Sequence, residues 1–434
     1  MAHFPYPRKD STAMTSIVSR RTLLLAASAA AVTAGCGRET PATLRFLAPS
    51  GTRAQAIAAT LGKDFTQRTG IHLDIQLSGG GGNWQDIDGR LATAFAAGTP
   101  PAMALVGANA VLTYAAAGLL QPLEPLMAEG GFRPDDYIEP FRRINRYDGR
   151  TVAALYSLGV MVFSYNADAF RKAGLDPDRP PATWSEMRSA ATAVVGERAA
   201  RYGVLHSYDA DSNWTFENFI GWARGSMMDG RRQRVTFADQ PGVDVLAYWR
   251  GLIADKLSTP TTTLEMDDAF LRGDAAMVFG PSTKPVRYAK EATFDCRTAV
   301  VPIPDGGTRR LPPGGGSLVI FTKDEREQRA AWHVIQALTS AAGQTELCTS
   351  TGEIPVNVRA TGARYLGPAI DKQRYRRPAL DSVPDLAQRF QFPGLRAVQI
   401  NDLLKENIYA ALTGAKEPRQ ALSDAASRAK TLLA

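Results

Sequence analysis

A chain of 434 residues is long enough for two or three folding units. Its 44% apolar and 21% charged content fits a soluble globular protein and excludes a disordered or fibrous one. The formal charge is +7, but Arg8, Lys9, Arg20 and Arg21 stand against Asp10 alone in residues 1–35; the remainder is only mildly basic, no Lys/Arg run is interleaved with aromatics, and no nucleic-acid partner is expected.

The chain opens on a leader. Arg20 and Arg21 precede an apolar run over 23–32 and then a stretch of small residues. The run is about ten residues, too short to cross a bilayer as a helix. Ser19 to Leu24 resembles a twin-arginine export signal. Thr33–Ala34–Gly35–Cys36 resembles a bacterial lipobox, whose cysteine is lipidated and becomes the mature N-terminus; Thr33 stands where leucine is usual. Residues 1–36 are read as an export signal with lipobox, Cys36 as the lipidation site and 37–42 as a tether. Met14 is an alternative start. The expected location is the outer face of the cytoplasmic membrane or the periplasm.

Strand and helix then alternate. Residues 43–47 read as a strand, 54–68 as a helix stopped by Gly70, 71–77 as a half-buried strand and 84–97 as a helix. A short buried strand over 102–106 and a helix over 111–117 follow. This order predicts an α/β lobe with a mostly parallel sheet. The glycine run 79–82 reads as a flexible loop or as an anion cradle; no phosphate-loop lysine follows it. Trp84, just after that loop, reads either as a stacking face or as core.

Residues 160–163 form an apolar run of strand length. Tyr165 and Asn166 follow, then an amphipathic helix over 167–173 that Gly174 ends. Pro180 and Pro181 force an extended loop, and Thr183 with Glu186 makes a capping box for a helix over 184–195. Tyr165, Asn166, Phe170, Ala173, Gly174, Leu175, Pro180, Pro181, Thr183 and Trp184 together resemble the hinge-crossing segment of family 1 extracellular solute-binding proteins, the cargo receptors of ABC importers. The stretch 97–123 resembles the same family, with Ala102 where aspartate is common.

The resemblance implies a periplasmic-binding-protein-like fold: two α/β lobes with a hinge and an interlobe cleft. Residues 43–150 plus about 295–345 would form lobe 1, and about 151–294 plus 346–434 lobe 2. Within the second lobe, Trp214, Glu217, Asn218, Phe219 and Trp222 match a run in glycerol-phosphate-binding members; Phe216, Phe219 and Ile220 sit at helical spacing and read as core. Trp214 is the expected ligand platform. A helix over 267–273 precedes the strand of Ala275, Ala276 and Met277. Ser282, after that strand, reads as a hydroxyl donor or an ordinary loop serine. Gly315, Gly316 and Ser317 resemble a glycine–serine element of glycerol-phosphate and glycerophosphodiester receptors, where backbone N–H groups approach phosphate; a plain hinge crossing is the alternative. Glu353 stands where those receptors carry a ligand-contacting tyrosine. Arg396, opening a helix that runs to about residue 412, reads as an anion anchor or as a solvated arginine. His333 falls in a helix over 330–339 and reads as structural.

Nothing points to catalysis. His3, His72, His206 and His333 form no metal motif, and no nucleophile elbow appears. Asp135–Asp136 and Asp267–Asp268 are adjacent pairs whose side chains diverge. Cys296 and Cys348 either pair or stay as separate thiols. The expectation is a monomeric, lipid-tethered receptor without metal or cofactor. Its expected partners are ABC permease subunits, the membrane through its anchor, and a small ligand. Glycerol-3-phosphate or a glycerophosphodiester is the first expectation for that ligand, bound by Trp84, Trp214, Ser282, Gly315, Gly316, Ser317, Glu353 and Arg396. A neutral sugar or oligosaccharide is the second, and an exported glycoside hydrolase is a remote third.

Overall fold

A computed structural model describes residues 43–433, apart from 64, 80–83, 231–232 and 395. The export signal, Cys36, the tether and most of the glycine run 79–82 lie outside the described residues. Among the described residues, no helix is long and apolar enough to cross a membrane.

Two sheets carry the architecture. The first is built from β1 (Thr43–Ala48), β2 (His72–Leu77), β3 (Met103–Gly107), β6 (Ala154–Gly159) and β11 (Gly314–Ile320), in the order β2-β1-β3-β11-β6. The second is built from β7 (Met161–Asn166), β8 (Tyr202–Leu205), β9 (Ala275–Pro281) and β10 (Cys296–Ala299), in the order β10-β7-β9-β8. A small hairpin pairs β4 (Arg146–Tyr147) with β5 (Arg150–Thr151). β3, β6 and β7 are buried along their whole length, as strands covered on both faces must be. Their near-continuous apolar sequences follow from that.

β1, β2 and β3 run parallel, as the strand–helix alternation predicts. The sheet is nevertheless mixed, because β11 enters antiparallel between β3 and β6. Only Val160 separates β6 in one sheet from β7 in the other. The chain therefore changes sheet at Val160, later than the lobe boundary expected at 150/151. It returns between β10 and β11, so Cys296–Ala299 still belongs to the second sheet. Helix Ala341–Thr351 packs on helices Thr52–Leu61 and Glu325–Thr339 of the first lobe, so residues 346–351 stay there and do not join lobe 2.

Local chemistry explains the crossing segment. Asn166 caps helix Ala167–Lys172 by accepting the Ala169 N–H at 3.0 Å. The Tyr165 hydroxyl donates to the Pro177 carbonyl at 2.7 Å, which pins the proline loop. The Thr183–Glu186 capping box is present in both halves. One expectation differs: the helix expected over 54–68 is two, Thr52–Leu61 and Phe65–Thr69, because Gly62 takes a left-handed φ of 66° and ends the first.

Helix Trp214–Trp222 carries Phe216, Phe219 and Ile220 into the core. His206 is buried against Phe219 and Trp249, and burial pushes its imidazole down to a pKa of about 3. Cys296 and Cys348 are both free thiols; burial pushes the first up to about 12 and the second well above the ordinary range. His333 is exposed on helix Glu325–Thr339.

Candidate functional site

A cavity of about 190 Å³ lies between the two sheets, where the strands cross. From the first lobe it is lined by Arg53, Trp84, Ala108, Asn109, Gly314, Gly315 and Glu353. Gly159, Pro281 and Thr283 line it beside the crossing, and Trp214 and Arg389 line it from the second lobe.

Both indoles line the cavity, and the glycines of β11 make room for them. A Cβ on Gly316 would lie 2.4 Å from Trp84 Cη2, and one on Gly314 would lie 3.4 Å from Trp214 Cζ2. Gly315 has a φ of 98° and lies so close to β6 that a Cβ would meet the Ser157 carbonyl oxygen at 2.0 Å. The triplet thus serves strand packing and the indoles. Its Ser317 is turned away from the cavity: it is fully buried, and its hydroxyl accepts the Asn145 side-chain N–H at 2.8 Å. Trp214 is held by its own N–H, which donates to the Pro312 carbonyl at 2.9 Å.

Two arginine–carboxylate pairs complete the walls. Arg53, in the first turn of helix Thr52–Leu61, donates to Glu353 Oε1 at 2.5 and 3.1 Å and to Ser157 Oγ at 3.0 Å. Ser157 Oγ also donates to that carboxylate oxygen, at 2.6 Å. The Glu353 side chain is only 1% exposed, and its Oε2 has no hydrogen-bond partner among the described residues. The Arg53 guanidinium lies 5.1 Å from the centre of the Trp84 ring, within cation–π range. Opposite it, Arg389 lies 5.8 Å from the Trp214 ring and pairs with buried Glu217. The Phe390 N–H also donates to Glu217, at 2.8 Å. Burial pushes the Glu217 carboxyl above its ordinary range, and the guanidinium and the N–H oppose that shift.

Trp84, Trp214, Gly315 and Glu353 all line the cavity. Gly316 stands behind Trp84. Ser282 is buried at the edge, where its hydroxyl accepts the Val160 N–H at 3.3 Å. Arg396 is exposed at the start of helix Ala397–Leu412 and is not among the lining residues, whereas Arg389 is. Sequence reasoning missed Arg389, Arg53 and Ser157. Glu217 was the available signal for Arg389, since a carboxylate on an apolar helix needs a buried counter-charge. Arg53 was signalled by its place, because a cation in a helix's first turn opposes the macrodipole unless something pairs with it. Ser157 carried no signal.

Asn109 closes one side. Its amide donates across the cleft to Ser212 Oγ at 3.1 Å and to Gln391 Oε1 at 3.2 Å. Among the described residues, no group of three or more His, Cys, Asp or Glu could hold a metal ion. The arrangement suits capture of a small molecule against two aromatic side chains.

Known proteins share this fold. A chain from Arthrobacter globiformis, solved as a cyclic α-maltosyl-1,6-maltose binding protein, superposes with a TM-score of 0.76 at 23% identity, covering 91% of this chain and 99% of that one. UgpB from Mycobacterium tuberculosis, solved in complex with glycerophosphocholine, superposes with a TM-score of 0.76 at 19% identity, covering 91% and 98%. These establish the two-lobed periplasmic-binding-protein-like fold. In sequence, the sn-glycerol-3-phosphate-binding periplasmic protein UgpB of Agrobacterium fabrum is 27% identical over 354 residues, 77% of this chain and 80% of its own. These relatives bind solutes and are not enzymes. The family described as bacterial extracellular solute-binding protein matches residues 60–363, and this chain belongs to it.

Proposed function

We propose that this protein is the exported receptor of an ABC importer, and that it delivers a small saccharide without net charge. One observation carries the cargo reading: two indoles face a cavity whose charged side chains are paired with one another. Indole faces cover the apolar C–H surface of a sugar ring, while Glu353 and Asn109 supply hydrogen bonds at its edge. Closure of the lobes on the ligand would present the permease with one of two conformations, so the ligand acts through its differential affinity for the closed form. In this reading Cys36 carries the lipid that holds the receptor at the membrane.

A second reading, a glycerophosphodiester with a cationic head group, is favoured by the likeness to the UgpB proteins. Such a zwitterion also has no net charge. A thermal-shift panel of maltose, trehalose, glycerophosphocholine and sn-glycerol-3-phosphate separates the readings. Ligand at a hundred times its Kd should add about 2.7 kcal/mol to stability. Stabilisation by a disaccharide supports the first reading, and stabilisation by glycerophosphocholine alone replaces it with the second.

A further inference from the structure

We propose that Glu353 is an anion filter: by pairing with Arg53 it cancels the cationic charge on the first-lobe wall, so that the cavity rejects a phosphate monoester. This rests on the reading of the cavity as the cargo site.

Both Arg53 and Glu353 line the cavity. Arg53 sits where an anion would be gripped, in a first helical turn and beside an aromatic face. Its donors are directed elsewhere. Nε reaches Ser157 and Glu353, and Nη2 reaches the same Glu353 oxygen. A phosphate dianion arriving at Arg53 would have to displace a buried carboxylate or lie beside it. Either costs more than an ordinary hydrogen bond returns, because a dianion close to a buried carboxylate is repelled strongly. Across the cavity Arg389 is likewise engaged by Glu217. The vacant valence on the first-lobe wall is of the opposite kind. Glu353 Oε2 is buried and without a hydrogen-bond partner among the described residues, so it can accept a bond from an O–H or N–H and can give none to a phosphate.

The filter is reversible by substitution. Glu353→Gln keeps the shape and a hydrogen-bonding oxygen but removes the charge, leaving Arg53 uncompensated. By isothermal titration calorimetry, E353Q should bind sn-glycerol-3-phosphate at least about tenfold more tightly than the wild-type protein. The double variant E353Q/R53M should lose that gain. Glu353→Asp, which draws the carboxylate back from Arg53, is a second single variant and should shift affinity in the same direction. Circular dichroism and a melt verify that each variant is folded. Equal affinity in wild type and E353Q, or a gain that survives R53M, overturns the proposal. So does a micromolar Kd for sn-glycerol-3-phosphate in the wild-type protein, whether or not any variant folds. A saccharide panel that fails throughout would sink the cargo reading and leave these ratios intact, so the two failures are distinguishable.

Discussion

Arg389→Ala tests the second buried pair. Its side chain and that of Glu217 are 5% and 6% exposed, so neither charge is solvated. Removing the guanidinium leaves a carboxylate on an apolar helix with the Phe390 N–H as its remaining donor in this contact. Breaking a buried pair from one side costs about 3–5 kcal/mol. The surviving N–H bond places the expected loss near the lower end, at about 3 kcal/mol. Urea unfolding followed by circular dichroism should show a lower midpoint at unchanged slope. The double variant E217Q/R389M removes both charges and keeps the volume, so it should recover to within about 1 kcal/mol of wild type. A loss below about 1 kcal/mol in R389A is what an exposed pair would show, and it would refute the reasoning. A double variant no better than the single one would refute it equally. Ligand titration of the double variant then isolates what Arg389 contributes to binding, since its stability contribution has been removed.

Three further outcomes follow from other parts of the molecule. His206 is held neutral by burial, with its pKa lowered from 6.5 to about 3. The unfolded chain thus binds the extra proton first as pH falls, so the stabilisation is whole well above pH 6.5 and is lost progressively toward pH 3; between pH 6.5 and 4.5 the loss is about 2 kcal/mol, and His206→Gln should flatten that part of the urea-midpoint profile. Gly316→Ala would set a Cβ 2.4 Å from Trp84 and 2.6 Å from the Val106 carbonyl oxygen, so it should cost about 1–3 kcal/mol and change tryptophan fluorescence. Cys36→Ala should move the exported protein from the membrane fraction to the soluble fraction, and an unchanged distribution would remove lipidation from the account.

Much of the fold was legible because it depends on local rules. The Thr183–Glu186 box, the Asn166 cap and the buried runs of β3 and β7 each announce themselves within a few residues. The lobe boundaries were less legible. β6 and β7 are both buried and apolar, and nothing in their composition says that they belong to different sheets. The site divided the same way. Trp84, Trp214 and Glu353 stand in local patterns that a sequence displays. Arg53 and Ser157 acquire their roles only from Glu353, which is distant in the chain, and a pairing over that separation leaves no local trace. Arg396 reads as an anion anchor because it starts a helix, while nothing local marks Arg389; its burial against Glu217 is a property of the tertiary fold.

The cavity exists because β11 gives up side chains. Three successive glycines leave space that two indoles fill only in part, and what remains is the cavity. Its polar groups meet one another before they meet a ligand, so the site is electrostatically quiet. Affinity must then come from contact with the indole faces and from short hydrogen bonds, neither of which depends on long-range attraction. Added salt screens attraction between unlike charges but leaves such contacts nearly untouched. A cargo without net charge should therefore bind with a Kd that changes by less than about twofold between 50 and 500 mM salt. E353Q, with Arg53 exposed to the ligand, should hold sn-glycerol-3-phosphate by attraction and lose affinity severalfold over the same range. Steep salt dependence in the wild-type protein would mean that the carboxylates do not neutralise the arginines in the way their geometry implies.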